Sequence, residues 1–160
     1  MRVARLLASM LLAMSATPAL AAPSLAAFDF ELINTSLEPT RADEEAKLQM
    51  LDGLLAEELR RRDAFAPVDT SPVQADVVRH SSLRGCQGCE LDLARRLGAE
   101  YAALGWVQKV SNLILNINLQ IREVATGRLI KAGSVDIRGN TEESWRRGLV
   151  YLLDRRIFKQ

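Results

Sequence analysis

CQGCELDLARRLGAEYAALGWVQKVSNLILNINLQIR, residues 86–122, is the stretch on which the fold turns. It holds both cysteines, one short helical pattern and the two most strand-like runs of the chain. Within 90–97, Leu93 and Leu97 stand four apart with Ala94 beside them, the spacing of one helix face. Gly98 follows, where a left-handed stop costs least. Residues 101–110 are apolar almost throughout, which suits a central strand covered on both faces. Ser111-Asn112 reads as a tight turn. Then the period becomes two: Leu113, Leu115, Ile117, Leu119 and Ile121 point one way, and Asn112, Asn116, Asn118, Gln120 and Arg122 the other, with only Ile114 out of step. That is a strand with one buried and one wet face.

Working outward, the flanking segments read as partners of this ribbon. FDFELI, residues 28–33, alternates as a first strand, with Phe28, Phe30 and Leu32 on one side. Thr40 is placed to cap a helix over 41–62, whose buried stripe is Leu48, Leu51, Leu55 and Leu59. Its other face, with Glu45, Asp52 and Arg60, reads as solvated surface. Residues 65–68 form a short second strand. Residues 70–84 read as a loop with a helical turn near 75–79. Thr126-Gly127 makes a hairpin of 113–124 and 128–137. Asn140, with Glu143 reaching back, is expected to cap a last helix that buries Trp145, Leu149, Leu152 and Leu153 and ends near Ile157. The expected fold is a single layered α/β domain. A parallel βαβ start and an antiparallel three-strand meander make a mixed sheet packed by helices.

Composition sets the class. At 48% hydrophobic and 26% charged, the chain of 160 residues is ordinary globular protein. Residues 1–21 stand apart: Arg2 and Arg5, an apolar run over 6–14, and Ala19-Leu20-Ala21 ahead of Ala22 form a secretory signal peptide. The run is too short to span a bilayer. The domain is then 22–160, a periplasmic, soluble chain with no membrane contact after cleavage. Loss of Arg2 and Arg5 carries the formal charge of +1 to a slightly negative value. That argues against nucleic acid or anionic lipid as partner.

Cys86-Gln87-Gly88-Cys89 is the sharpest local motif. In an exported chain with two cysteines a structural disulfide is the simplest reading. So small a loop adds only about 2 kcal/mol. Two readings stand beside it: a redox pair, because Cys89 precedes a helix whose N-terminus lowers thiol pKa, and a metal site with His80, short of ligands for a closed zinc centre. Covalent haem requires histidine after Cys89, where Glu90 stands. No serine or cysteine pairs with His80 as a nucleophile would, and no carboxylates are paired for acid–base work, so no catalytic residue, cofactor or metal set is expected. Trp106 and Trp145 read as core. Asp136, Arg138, Asn140, Thr141 and Trp145 lie where a strand meets a helix start, a place where ligands bind.

FDFELINTS, GCQGCELDLARRLGAEYAALGWVQKVSNLILNINLQI and VDIRGNTEESWRRGL together resemble a family of small secreted bacterial proteins classed as a domain of unknown function, of the 2380/3280 type. The resemblance covers residues 28–153, and its most specific pieces are Cys86/Cys89 and 136–145. It brings no catalytic residues with it. LGAEYAALGWV and the order of elements look more loosely like the amino-terminal domain of TolB, which implies an α/β module for protein–protein contacts. The expectation is a periplasmic accessory protein, not an enzyme, that binds another periplasmic or secreted protein. A thiol–disulfide redox protein and a small-ligand or metal carrier are the alternatives.

Overall fold

The computed structural model describes residues 21–159. Its elements are β1 (Ser24–Ala27), β2 (Glu31–Asn34), α1 (Ala42–Arg61), β3 (Ala66–Pro67), α2 (Gln74–Arg79), α3 (Cys89–Arg96), β4 (Tyr101–Lys109), β5 (Ile114–Glu123), β6 (Leu129–Arg138) and α4 (Glu142–Leu152). A wider turn, Leu153–Ile157, closes α4. The strands form one six-stranded mixed sheet in the order β3-β1-β4-β5-β6, with β2 also on β4. β1 runs parallel to β3 and β4, whereas β4, β5 and β6 form the antiparallel meander. The mixed α/β sheet packed by helices is therefore as expected. Of the proposed leader, residues 1–20 lie outside the described residues. Among the described residues no helix is long and apolar enough to cross a membrane.

The first strand, expected over 28–33, is instead two: β1 starts earlier, at Ser24, residues 28–30 carry no strand, and β2 resumes at Glu31. Leu25 and Ala27 lie opposite Tyr101 and Ala103, but Glu31 lies opposite Trp106, so the β1–β2 side carries one residue more than β4 across the same span. An extra residue is a bulge, and it reverses which face later side chains take. The exposed Asp29 occupies that place. Phe28 consequently packs with Ala26 on one face, while Phe30 joins Leu25 on the other. Simple alternation had put Phe28 and Phe30 together.

The larger core lies between the sheet and α1, α4 and the closing turn. It contains the Leu48, Leu51, Leu55 and Leu59 stripe, Trp145, Leu149, Leu152, and Leu115, Ile117, Leu119 and Ile121 of β5. Period two holds over that strand except at Leu113, which lies in the turn and is exposed. The smaller core lies on the opposite face, under α3 and the segment before it, and includes Leu83, Leu93, Ala94, Ala102 and Leu104. Helix starts also shift. Arg41, not Thr40, caps α1, its backbone N–H donating to Glu44 Oε2 at 2.9 Å. Thr141, not Asn140, caps α4, its Oγ1 accepting from Ser144 N at 3.2 Å.

Candidate functional site

Asn140 is released from capping because its side chain completes a buried polar network. Lys109, at the end of β4, and Glu44, in the first turn of α1, are both 0% exposed, and Nζ donates to Glu44 Oε1 at 2.7 Å. Asn140 Nδ2 donates to the same oxygen at 2.6 Å, and Asn140 Oδ1 accepts from Trp145 Nε1 at 2.9 Å. Lys47 Nζ donates to the Asn140 carbonyl at 2.9 Å. Among the described residues every buried side-chain nitrogen and oxygen is partnered. Burial pushes the Glu44 carboxyl up, but the bonds from Lys109, the Arg41 backbone and Asn140 outweigh it and leave it below the usual carboxylate range. The network ties α1, β4 and the β6–α4 junction together.

Asp52 departs from its reading as solvated surface. It is half-buried, and its Oδ1 accepts from Phe30 N at 2.7 Å, tying α1 to the bulge. Burial, with the nearby charges of Asp29 and Glu45, pushes it up to about 7.

The residues expected to bind ligand divide. Asn140 and Trp145 face inward, and Thr141 sits at the α4 start. Asp136 and Arg138 line an open groove of about 760 Å³ between β6 and α4, shared with Arg147, Tyr151 and Arg156. Sequence reasoning missed Tyr151, which is 49% exposed on the side of α4 turned from its buried stripe. Gly148 brings that helix close, because a Cβ there would stand 2.5 Å from Ile137 Cγ2.

β6 is the outer strand on this side. Gly139 N donates to Leu113 O at 3.0 Å, so Gly139 faces β5. By the period of an antiparallel ladder the backbone groups of Ala132, Ser134, Asp136 and Arg138 point away from it. Arg138 O accepts from Ser144 Oγ at 3.0 Å. Among the described residues no group bonds the outward amides and carbonyls of Ala132, Ser134 and Asp136. Behind this edge the wet face of β5 is a ladder: Asn118 Nδ2 donates to Asn116 Oδ1 at 2.5 Å, and Asn116 Nδ2 to Asp136 Oδ1 at 2.8 Å. Trp106 opens onto the same face. Read as core, it is instead half-buried, because α3 covers only the Tyr101 end of β4, and the Arg84 guanidinium lies 5.7 Å over its ring.

Cys86 and Cys89 stand at disulfide distance, their Cα atoms 5.7 Å apart. His80 ends α2 with its Nδ1 3.6 Å from Cys89 Sγ.

The architecture defines a small layered α/β domain with a mixed sheet and a groove beside its β6 edge. The chain belongs to the DUF3280 family, described as "Protein of unknown function (DUF2380)", which it matches over residues 23–157. No curated protein matches it. Among solved structures it is similar to the LpoB C-terminal domain from Salmonella enterica, with TM-score 0.54 and 19% identity over 77% of this chain and 87% of that one. It is also similar to the PelC dodecamer from Paraburkholderia phytofirmans, with TM-score 0.54 and 15% identity over 89% and 94%. TolB from Acinetobacter baumannii is a weaker match, at TM-score 0.41 and 10% identity over 76% and 24%, too slight to carry an argument. At these identities the likenesses concern the fold.

Proposed function

We propose that this is an exported, non-enzymatic accessory protein of the periplasm, and that it binds an extended segment of another envelope or secreted protein along β6. The observation that carries this is the row of outward backbone groups at Ala132, Ser134 and Asp136 that have no partner among the described residues, a row that adjoins a groove. An added strand satisfies such a row, and side-chain pockets beside it supply specificity. Arg138, Arg147 and Arg156 outnumber Asp136 and Glu143 along the groove, which favours an acidic segment. The PelC relative is a dodecamer, so a second copy is the rival occupant. A two-fold contact through β6 would set the arginine rims of both copies against each other, which disfavours it.

Ser134→Pro tests the idea. It deletes an outward N–H without breaking the β5–β6 ladder, and proline is tolerated at such a position. Capture of acidic periplasmic protein by the wild-type chain should fall at least tenfold for the variant, by roughly the 1.4 kcal/mol that a tenfold change represents. Equal capture by both proteins sinks the β6 reading. A concentration-dependent dimer that Ser134→Pro abolishes would make the occupant a second copy instead.

A further inference from the structure

We propose that reduction of Cys86–Cys89 turns the α2–α3 corner into a binding site for one thiophilic d10 cation, with Cys86, Cys89 and His80 as its ligands. The inference is independent of the β6 reading.

The donor atoms are already assembled. One nitrogen of His80 and the two sulfurs lie within 4.8 Å of one another. Zinc holds sulfur at about 2.3 Å and imidazole nitrogen at about 2.0–2.1 Å, so at a tetrahedral angle the two donors stand about 3.5–3.6 Å apart. Cys89 Sγ and His80 Nδ1 are 3.6 Å apart in the disulfide form. That edge of the coordination polyhedron therefore exists before any metal arrives. Once the disulfide opens, only the Cys86 sulfur has to move.

The surroundings suit thiolates and leave an open position. Cys89 is the first residue of α3, so the positive end of that helix faces its sulfur. Arg79 and Arg96 line the hollow beside it, which measures about 340 Å³ and also contains Asp76 and Asp92. Three protein ligands and an open fourth position for water match a site of the catalytic or carrier type, not a closed structural one.

The steps balance. A dithiol or phosphine reductant gives two electrons to the disulfide and is itself oxidised, and Cys86 and Cys89 take up two protons as thiols. Binding of Zn²⁺ displaces both thiol protons to solvent, while neutral His80 supplies the lone pair of Nδ1 and keeps its proton on Nε2. The site is thereby gated: a disulfide oxidant accepts two electrons from the two thiolates, takes up two protons to leave as two thiols, and the re-formed Cys86–Cys89 bond expels the ion.

The test uses the untagged mature chain, oxidised and phosphine-reduced, titrated with Zn²⁺ against a competing chelator. The reduced chain should bind one equivalent, release two protons and show thiolate-to-cobalt charge-transfer absorption when Co²⁺ replaces zinc. His80→Gln should weaken the reduced site by at least roughly tenfold, since even outer-shell losses cost that much. It should leave the oxidised chain unchanged. Equal zinc affinity of the oxidised and reduced chains overturns the proposal, as does an unaltered affinity in His80→Gln. So does loss of the circular dichroism of the fold on reduction before zinc is added, because the donors would then no longer be held together.

Discussion

Substitution of Glu44 by glutamine keeps the shape of the side chain and removes its charge. Lys109 is then left as an ammonium with no exposed surface, its remaining ion-pair partner among the described residues being Glu38, whose Oε2 lies 3.8 Å away on a half-exposed side chain. Removing one member of a buried pair costs about 3–5 kcal/mol, because the remaining charge is desolvated without compensation. The partial help from Glu38 places the expectation near 3 kcal/mol, at the lower end of that range. For a domain of this size it corresponds to a fall in Tm of about 10 °C. Lys109→Met should cost a similar amount, stranding the carboxylate. The double variant replaces the pair by groups of like volume and should recover to within about 1 kcal/mol of the wild type. Thermal and urea unfolding of all four proteins closes the cycle. The pH dependence supplies a second readout. Glu44 is held below its unfolded value near 4.3, so its contribution is complete above that pH and is lost as pH falls through the lower folded value. Glu44→Gln should lack that acid limb. A single variant that costs less than about 1 kcal/mol would refute the account, and so would a double variant whose cost is the sum of the singles.

The remaining expectations concern the bulge and the two proposed sites. Asp52 keeps its proton to about pH 7 in the folded chain and to about 3.9 when unfolded. The wild type should therefore lose stability as pH rises from about 4 to about 7, whereas Asp52→Asn, still accepting from Phe30 N, should not; parallel Tm–pH profiles would contradict this. A methyl group on Gly105 would overlap the Phe30 ring, so Gly105→Ala should cost about 1–3 kcal/mol. Phe30→Leu in the same chain should return part of it, and strict additivity in urea unfolding would show that the ring is not the obstacle. Ser134→Pro should lose capture of acidic periplasmic protein and keep its Tm. His80→Gln should weaken zinc binding only in the reduced chain.

Much of the architecture is legible in the side-chain period. Leu115 to Ile121 alternate without interruption, and a strand with one buried face follows directly. Leu93, Ala94 and Gly98 mark α3 and its stop just as plainly. The bulge at Asp29 left no such mark: FDFELI alternates well as written, and only its partner strand, some 75 residues on, reveals the extra residue. Asn140 failed as a cap for a related reason. Its local chemistry suits an N-cap, but Glu44 and Trp145 compete for the same amide, and Glu44 comes from nearly a hundred residues away. Asp52 looked exposed because its helix face is polar; its neighbour is a backbone N–H of another segment, which no pattern displays. Trp106 looked buried because its run is apolar, although the covering helix stops short of it.

The parallel pairing of β1 has a consequence in time. Leu25 meets Tyr101 and Pro67, so neither neighbour of the first strand has been made when that strand emerges. Loop closure over such separations is slow. A polypeptide wired in this way stays loose until its middle third has followed its head.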